Sequence, residues 1–173
     1  MRRLAPLAAL AALSLLAACA GGPPPRVWAA SVCSALTPWR AELDTLTTKA
    51  QQQANAAPNS AQAKENLVRL FDGAQKSTEA ARLKVEQAGV PDVDNGDKIA
   101  RSFLTTLAAV RDSYGHAKDG VNGLTAGDPA TFSDGVATVL TTLNTEYAKS
   151  AIDVTQLDSV ELRKAFDEVP ECL

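Results

Sequence analysis

The chain is poor in the residue types from which most catalytic and metal-binding sites are built. Its 173 residues include 1 His and 3 Cys, and aromatic residues make up 5% of the total. The sequence contains no His-Glu-x-x-His, no Cys-x-x-Cys, no Gly-rich phosphate loop and no nucleophile elbow. We therefore expect no cofactor, no metal ion and no enzymatic activity.

The chain also lacks an excess of positive charge. It has 17 Lys and Arg against 20 Asp and Glu, a formal net charge of -3. Proteins that hold nucleic acid through its phosphates need a clustered basic surface, so no nucleic-acid partner is predicted. With 46% hydrophobic residues the composition is that of one ordinary globular domain, which argues against wholesale disorder and against several membrane spans.

The first 18 residues have the pattern of a secretory signal peptide. Arg2 and Arg3 give a positive start, residues 4–16 are almost entirely Leu and Ala, and small residues follow. A bilayer span takes about 20 apolar residues, so the run is too short to cross a membrane. The sequence therefore predicts export.

The end of this segment, Leu16-Ala17-Ala18-Cys19, resembles the lipobox of bacterial lipoproteins. The resemblance implies removal of residues 1–18, a diacylglyceryl thioether on Cys19 and a fatty acid such as palmitate on its amino group. It also implies anchoring at the outer face of the cytoplasmic membrane. The alternative is ordinary cleavage after an Ala-x-Ala site, which would leave a soluble protein.

Residues 19–27, which include two Gly and three Pro, are predicted to form a lipidated tether ahead of a folded domain at residues 28–173. A polyproline segment rises about 3.1 Å per residue, so the domain would stand roughly 25 Å or less from the membrane. Loss of Arg2 and Arg3 leaves 15 basic and 20 acidic residues, a net charge of -5. We therefore expect the lipid, and not attraction to anionic headgroups, to hold the protein.

Once Cys19 carries lipid, Cys33 and Cys172 remain. An even pair of cysteines in an exported protein predicts a disulfide. The two residues lie near opposite ends of the mature chain, so the bond would close almost the whole domain into one loop.

Four long segments carry apolar residues at the alternating three- and four-residue spacing of a helix, and a short fifth helix is predicted at residues 159–168. The second helix is expected to end at Gly89 and the fourth to begin at Asp128-Pro129. Pro38 leaves two alternatives: it kinks the first helix, or Thr37 caps a new helix there. The predicted inward stripes span residues 32–50, 63–88, 99–121 and 132–150, the last including Tyr147, with Leu162 and Phe166 in the short helix.

The predicted fold class is all-α: an up-down-up-down four-helix bundle with a short C-terminal fifth helix, closed by a disulfide. In this topology the first helix starts where the fourth finishes, which would bring Cys33 close to Cys172. No segment alternates in the manner of a strand, so no sheet is expected.

Three further features have a structural and a functional interpretation. His116, the only imidazole, is expected to be a surface residue near the glycine-rich end of the third helix. Residues 92–97 resemble a calcium loop but lack its ligand pattern, so we predict a turn in which Asp94 or Asn95 caps the third helix. Trp28 and Trp39 are expected to pack in the core beside the disulfide; stacking on a ligand is the alternative.

The whole arrangement resembles small secreted lipoproteins of high-GC Gram-positive bacteria, a group without an assigned activity. The resemblance implies a location and no catalytic residue. It rests on the lipobox and on three other stretches: residues 28–39 around Cys33, Ala88-Gly89-Val90-Pro91 with Asn95-Gly96, and Pro170-Glu171-Cys172.

Three functions remain open at this point. The first is a non-enzymatic module at the membrane that binds another protein or an envelope component. The second is small-ligand binding inside the bundle, near the glycine-rich end of the third helix, which requires a concave pocket with convergent polar groups. The third is an envelope hydrolase, which requires His116 beside a Ser or Asp in a cleft.

Overall fold

The computed structural model describes residues 21–57, 59–150 and 154–173. The signal peptide, the lipobox and Cys19 lie outside the described residues and stay predictions. Within these ranges the regular structure is helical throughout, as expected. The helices are α1 (Pro25–Ala56), α2 (Ser60–Gln87), α3 (Gly96–Gly123), α4 (Pro129–Lys149) and α5 (Val160–Glu168), with 3-10 turns at Val154–Gln156 and Pro170–Cys172.

Side-chain caps explain where three of these helices begin. An oxygen of each cap residue accepts a hydrogen bond from the backbone N–H three positions later, which satisfies a donor that has no partner inside the helix. The caps are Asn59 for α2, Asp128 for α4 and Ser159 for α5. Gly89, with a φ of 73°, ends α2 as predicted, because glycine adopts this left-handed conformation without a steric penalty.

The start of α3 differs from the prediction. Asn95 precedes the helix, but its side chain makes no capping hydrogen bond. Its backbone is left-handed instead, with a φ of 59°, and the N–H of Gly96 donates to the carbonyl of Val93 over 3.0 Å. A Cβ on Gly96 would lie 2.1 Å from the carbonyl oxygen of Pro91, so the tight turn requires glycine at this position.

Pro38 lies inside one continuous helix, which settles the alternative that the sequence leaves open. Thr37 does not cap a new helix, since its hydroxyl donates to the carbonyl of Glu171 over 3.4 Å. This contact ties the middle of α1 to the C-terminal turn of the chain.

The predicted tether is wrong in its second half. Helix α1 already begins at Pro25, in agreement with the preference of proline for the first turn of a helix. Ahead of it the backbone packs on the connection between α2 and α3, where the N–H of Asp92 donates to the carbonyl of Pro23 over 2.9 Å. Residues 25–27 are therefore part of the folded domain.

The disulfide between Cys33 and Cys172 is present, with the two Cα atoms 5.1 Å apart. It joins α1 to the last turn at what we call the upper end of the bundle, where α1 begins and α4 finishes. Both the C-terminal turn and α5 pack against the first half of α1. The predicted bundle with its short fifth helix and closing disulfide is confirmed.

The upper end is held together by three aromatic rings from three helices. Trp28 is fully buried; its ring centroid lies 5.2 Å from that of Phe103 and 6.0 Å from that of Phe166, both edge to face. The indole N–H of Trp28 donates to the carbonyl of Gly89 over 2.9 Å, which satisfies its one polar atom. The predicted core role of Trp28 is confirmed.

The lower end, where α2 begins and α3 finishes, has a smaller core. Its buried residues are Phe71, Ala117 and Val121. Helix α4 contributes only half-buried residues to it, and Phe132 is the one buried residue of α4. Tyr147, predicted to point inward, is 41% exposed.

Helices α2 and α3 are also joined by an ionic bridge. The carboxylate of Glu79 accepts hydrogen bonds from Arg82 at 2.8 and 2.9 Å and from Arg111 of α3 at 2.8 Å. These hydrogen bonds, first from Arg82 and then from Arg111, lower the pKa of Glu79 from 4.5 to about 2. Charge-assisted hydrogen bonds of this kind stabilise the ionised carboxylate.

Loss of the disulfide is expected to cost the protein a large part of its stability. The bond closes a loop with a sequence separation of 139, for which chain entropy gives about 5 kcal/mol. Denaturant unfolding of the double variant Cys33→Ala/Cys172→Ala should show a loss of this order. The reduced natural protein should have the same unfolding midpoint as the variant. Equal midpoints for the oxidised and reduced protein would contradict this account.

Substitution of Glu79 should have an effect that depends on pH. Since folding lowers the pKa of this carboxyl, its contribution is complete above pH 4.5 and lost as the pH falls towards 2. At pH 7 we expect Glu79→Gln to lower the free energy of unfolding by about 1 kcal/mol, because the bridge is partly exposed and screened. Thermal melts at several pH values should show this difference disappear in acid.

The matched control is Glu86→Gln, whose carboxylate lies 3.4 Å from Arg82 and is 54% exposed. Its substitution should change stability by less than about 0.5 kcal/mol. An equal loss of stability from the two substitutions at pH 7 would show that the bridge to α3 contributes no more than an exposed ion pair.

Candidate functional site

The bundle is open on one side. Helix α1 packs on α2, α2 on α3 and α3 on α4, but α1 and α4 do not pack on each other in the same way. Two apolar depressions lie on this side, each lined by residues of both α1 and α4. We call this surface the α1–α4 groove.

The upper depression has a volume of about 220 Å³ and an aromatic lining. Trp39 of α1 and Tyr147 of α4 belong to its walls, and Phe103 of α3 to its floor. The indole N–H of Trp39 donates to the hydroxyl of Thr78 over 3.0 Å, and that hydroxyl donates to the carbonyl of Ala74 over 2.7 Å. The half-buried indole thus packs against the upper core that also includes the disulfide, as predicted, and it borders the groove as well.

The lower depression has a volume of about 270 Å³ and is lined mostly by apolar side chains. They are Ala50, Ala54, Ala63, Leu67, Phe132 and Val136. The polar lining residues are Ser133 and Asn66. Asn66 is 6% exposed; its amide donates to the carbonyl of Gln53, and its oxygen accepts from Gln62 and Arg69. This part of the groove therefore offers apolar contact and little hydrogen bonding.

Helix α4 exposes large apolar side chains on this side. Leu140 is 40% and Tyr147 41% exposed. They stand four and eleven residues after Val136, which puts all three on neighbouring positions of one helix face. Exposed apolar surface of this kind is typical of interaction sites, whereas single scattered residues are not informative.

One feature of the sequence indicates this surface. The predicted inward stripe of α4 includes Val136, Val139, Leu143 and Tyr147 but leaves out Leu140. With Leu140 the apolar face becomes wider than contact with one neighbouring helix requires.

His116 is a surface residue, as predicted, with a side chain that is 67% exposed. It lies in a shallow groove of about 180 Å³ between α3 and α4, where its Nδ1 is 3.1 Å from a carboxylate oxygen of Glu146. Ser113 lines the same groove, but its hydroxyl donates to the carbonyl of Ala109 over 2.8 Å. Among the described residues, the hydrogen-bond partner of His116 is therefore the carboxylate of Glu146, and the hydroxyl of Ser113 bonds to the backbone of its own helix.

The phenol of Tyr114 is likewise unsuited to proton transfer near neutral pH. Burial raises its pKa to about 12, with a smaller contribution from Tyr147. The group therefore keeps its proton, and its ring packs in the lower core.

Residues 92–95 form a turn, as predicted, and Gly96 and Asp97 already belong to α3. The backbone N–H of Asp92 bonds to Pro23, and the carboxylate of Asp97 accepts a hydrogen bond from Arg101, which lowers the pKa of that carboxyl. The part of the chain that the structure describes contains no group of three or more His, Cys, Asp or Glu side chains arranged to hold a metal ion.

Comparison with known proteins gives no assignment: no family model, no curated protein and no solved structure matches this chain. Over residues 21–57, 59–150 and 154–173, no helix is both long enough and apolar enough to cross a bilayer. The function must therefore be argued from the site.

The free energies of unfolding of two variants test whether the groove is open to solvent. Leu107, on the floor of the upper depression, is 4% exposed and packed in the core, whereas Leu140 is 40% exposed. We expect Leu107→Ala to lower the free energy of unfolding by about 2–5 kcal/mol and Leu140→Ala to lower it by less than about 1 kcal/mol. Similar losses in urea unfolding would mean that Leu140 is covered by the fold.

Proposed function

We propose that the protein is a non-enzymatic lipoprotein of the cell envelope that binds another envelope protein through the α1–α4 groove. The observation that carries this proposal is the exposed apolar face of α4, with Leu140 and Tyr147, opposite the half-buried face of α1. A protein without a partner for this surface would gain solubility by closing it or making it polar.

The location is supported by two independent features. One is the lipobox at Leu16-Ala17-Ala18-Cys19 after a charged and apolar start. The other is the disulfide between Cys33 and Cys172, a bond that persists in oxidising compartments outside the cytoplasm. More than one acyl chain on Cys19 would make the anchoring stable.

The shape of the groove favours a helical partner over a small molecule. A small-molecule site usually encloses most of its ligand, whereas both depressions are open and lie at different heights along α1 and α4. An amphipathic helix laid along the groove would contact both of them, with apolar residues spaced by three, four and seven positions. Helix α4 has 21 residues and so offers about 30 Å of length for this contact.

Site-directed photo-crosslinking in intact cells tests the partner. A photoreactive phenylalanine analogue at Leu140 of the full-length precursor should give one adduct of defined mass in the membrane fraction. The control is the same analogue at Thr145, an exposed position about 140° away around α4. Adducts of equal yield at both positions, or none at Leu140 across several growth conditions, would refute the proposed role of the groove.

The second candidate, a small ligand, is favoured by the polar groups around the upper depression. Arg40, Thr106 and Ser150 line it together with Trp39 and Tyr147. Native mass spectrometry of protein extracted from membranes would then show a bound molecule of a few hundred daltons. Trp39→Ala should remove it and Val136→Ala, in the lower depression, should keep it.

The anchor is tested by intact mass. We expect the mature chain to begin at Cys19 with two or three acyl chains, and Cys19→Ser to remain as an unprocessed precursor. A soluble chain without lipid that begins at Gly21, after the triplet Ala18-Cys19-Ala20, would support the alternative of ordinary signal cleavage.

A further inference from the structure

The residues that join the lipidation site to the fold are themselves held by the fold. The carbonyl of Pro23 accepts a hydrogen bond from the N–H of Asp92 over 2.9 Å. The Cα of Gly22 approaches the backbone of Val90 so closely that a Cβ would lie 1.8 Å from its carbonyl oxygen. From Gly22 onward, therefore, the chain follows the connection between α2 and α3 and does not act as a free spacer.

This contact limits how far the domain can move from its anchor. Cys19 precedes Gly22 by three residues, and three residues of extended chain span at most about 11 Å. Gly22, at the upper end of the bundle, must then lie within that distance of the Cα atom of Cys19. A free tether over residues 19–27 would allow roughly 25 Å and every orientation.

The surface at this end suits contact with a lipid headgroup region. Val27 in the first turn of α1 is 54% exposed, and Val90 beside Gly22 is 47% exposed. The nearby cations have acidic partners: Arg26 lies 2.5 Å from Glu168, and Lys98 lies 3.1 Å from Asp158. The connection between α2 and α3 itself carries Asp92 and Asp94 and no Lys or Arg, so contact at this end would not depend on anionic lipid.

We infer that residues 21–24 are a rigid mount that stands the bundle on its upper end, with the connection between α2 and α3 against the phospholipid surface. The inference rests on the proposed lipid anchor at Cys19. The opposite end of α3, which has 28 residues, then lies about 40 Å farther from the bilayer. The α1–α4 groove runs outward from the membrane.

Energy transfer to the membrane surface tests this orientation in the natural lipoprotein. The full-length precursor is expressed with a fluorescent amino acid at Val90 or at Thr125, which lie at opposite ends of the bundle. The mature protein is purified from membranes and reconstituted into phosphatidylcholine vesicles that carry an acceptor on the headgroups. We expect transfer at least threefold more efficient from position 90 than from position 125, and the same ratio when phosphatidylglycerol is added.

Two variants and one matched control separate the mount from a chance orientation. Gly22→Ala introduces the colliding Cβ and should bring the ratio close to one, whereas Gly21→Ala, whose Cβ would lie 3.4 Å from the Asp92 carboxylate, should keep it. A ten-residue segment of Gly and Ser is inserted between Ala20 and Gly21. It leaves the contacts of Gly22 intact but adds a flexible chain of about 17 Å. It should also abolish the threefold difference. Thermal melts verify that each variant is folded.

The outcomes are distinct. If intact mass shows no acyl chain, the proposed anchor fails, and the mount fails with it. If the protein is acylated but the two positions transfer equally, or if the insertion leaves the ratio unchanged, the mount is wrong and the anchor stands. A ratio that appears only with phosphatidylglycerol would replace the mount by electrostatic attraction.

Discussion

The bond between Cys33 and Cys172 decides which neighbours cover α1. It draws the end of the chain onto the upper half of α1, where α5 and the last turn pack against it. Helix α4, which would close a simple four-helix bundle by packing on α1, contacts α3 instead. Helix α5 and the last turn therefore cover the upper half of α1, while α1 and α4 line the groove between them.

The sequence was sufficient for the helices and for the disulfide. Gly89 and Asp128 mark helix ends through local chemistry, a left-handed glycine and a capping carboxylate, and local chemistry is visible in one sequence. The pairing of Cys33 with Cys172 follows from the two cysteines that remain once Cys19 is set aside for lipidation, together with the order of the helices.

The groove and the mount could not be predicted in this way. An apolar stripe shows that a helix face is covered but not by what, so Tyr147 has the same pattern as a buried residue while it is 41% exposed. The contact of Gly22 with Val90 uses backbone atoms and the absence of a Cβ, which leave no hydrophobic signal in the sequence. A Gly-Gly-Pro-Pro-Pro segment has the composition of a spacer whether or not its backbone finds a partner.

The proposed mount and the groove together restrict the class of the proposed partner. Helix α1 has 32 residues and extends about 48 Å, and both depressions lie along it on the side of α4. With the upper end at the bilayer, the upper depression faces the space nearest the headgroups and the lower depression lies farther out. A partner that fills both must present an apolar helix face running away from the membrane. A membrane protein with an extracytoplasmic helix that continues from a transmembrane segment meets this geometric condition, whereas a helix lying flat on the bilayer reaches only the upper depression.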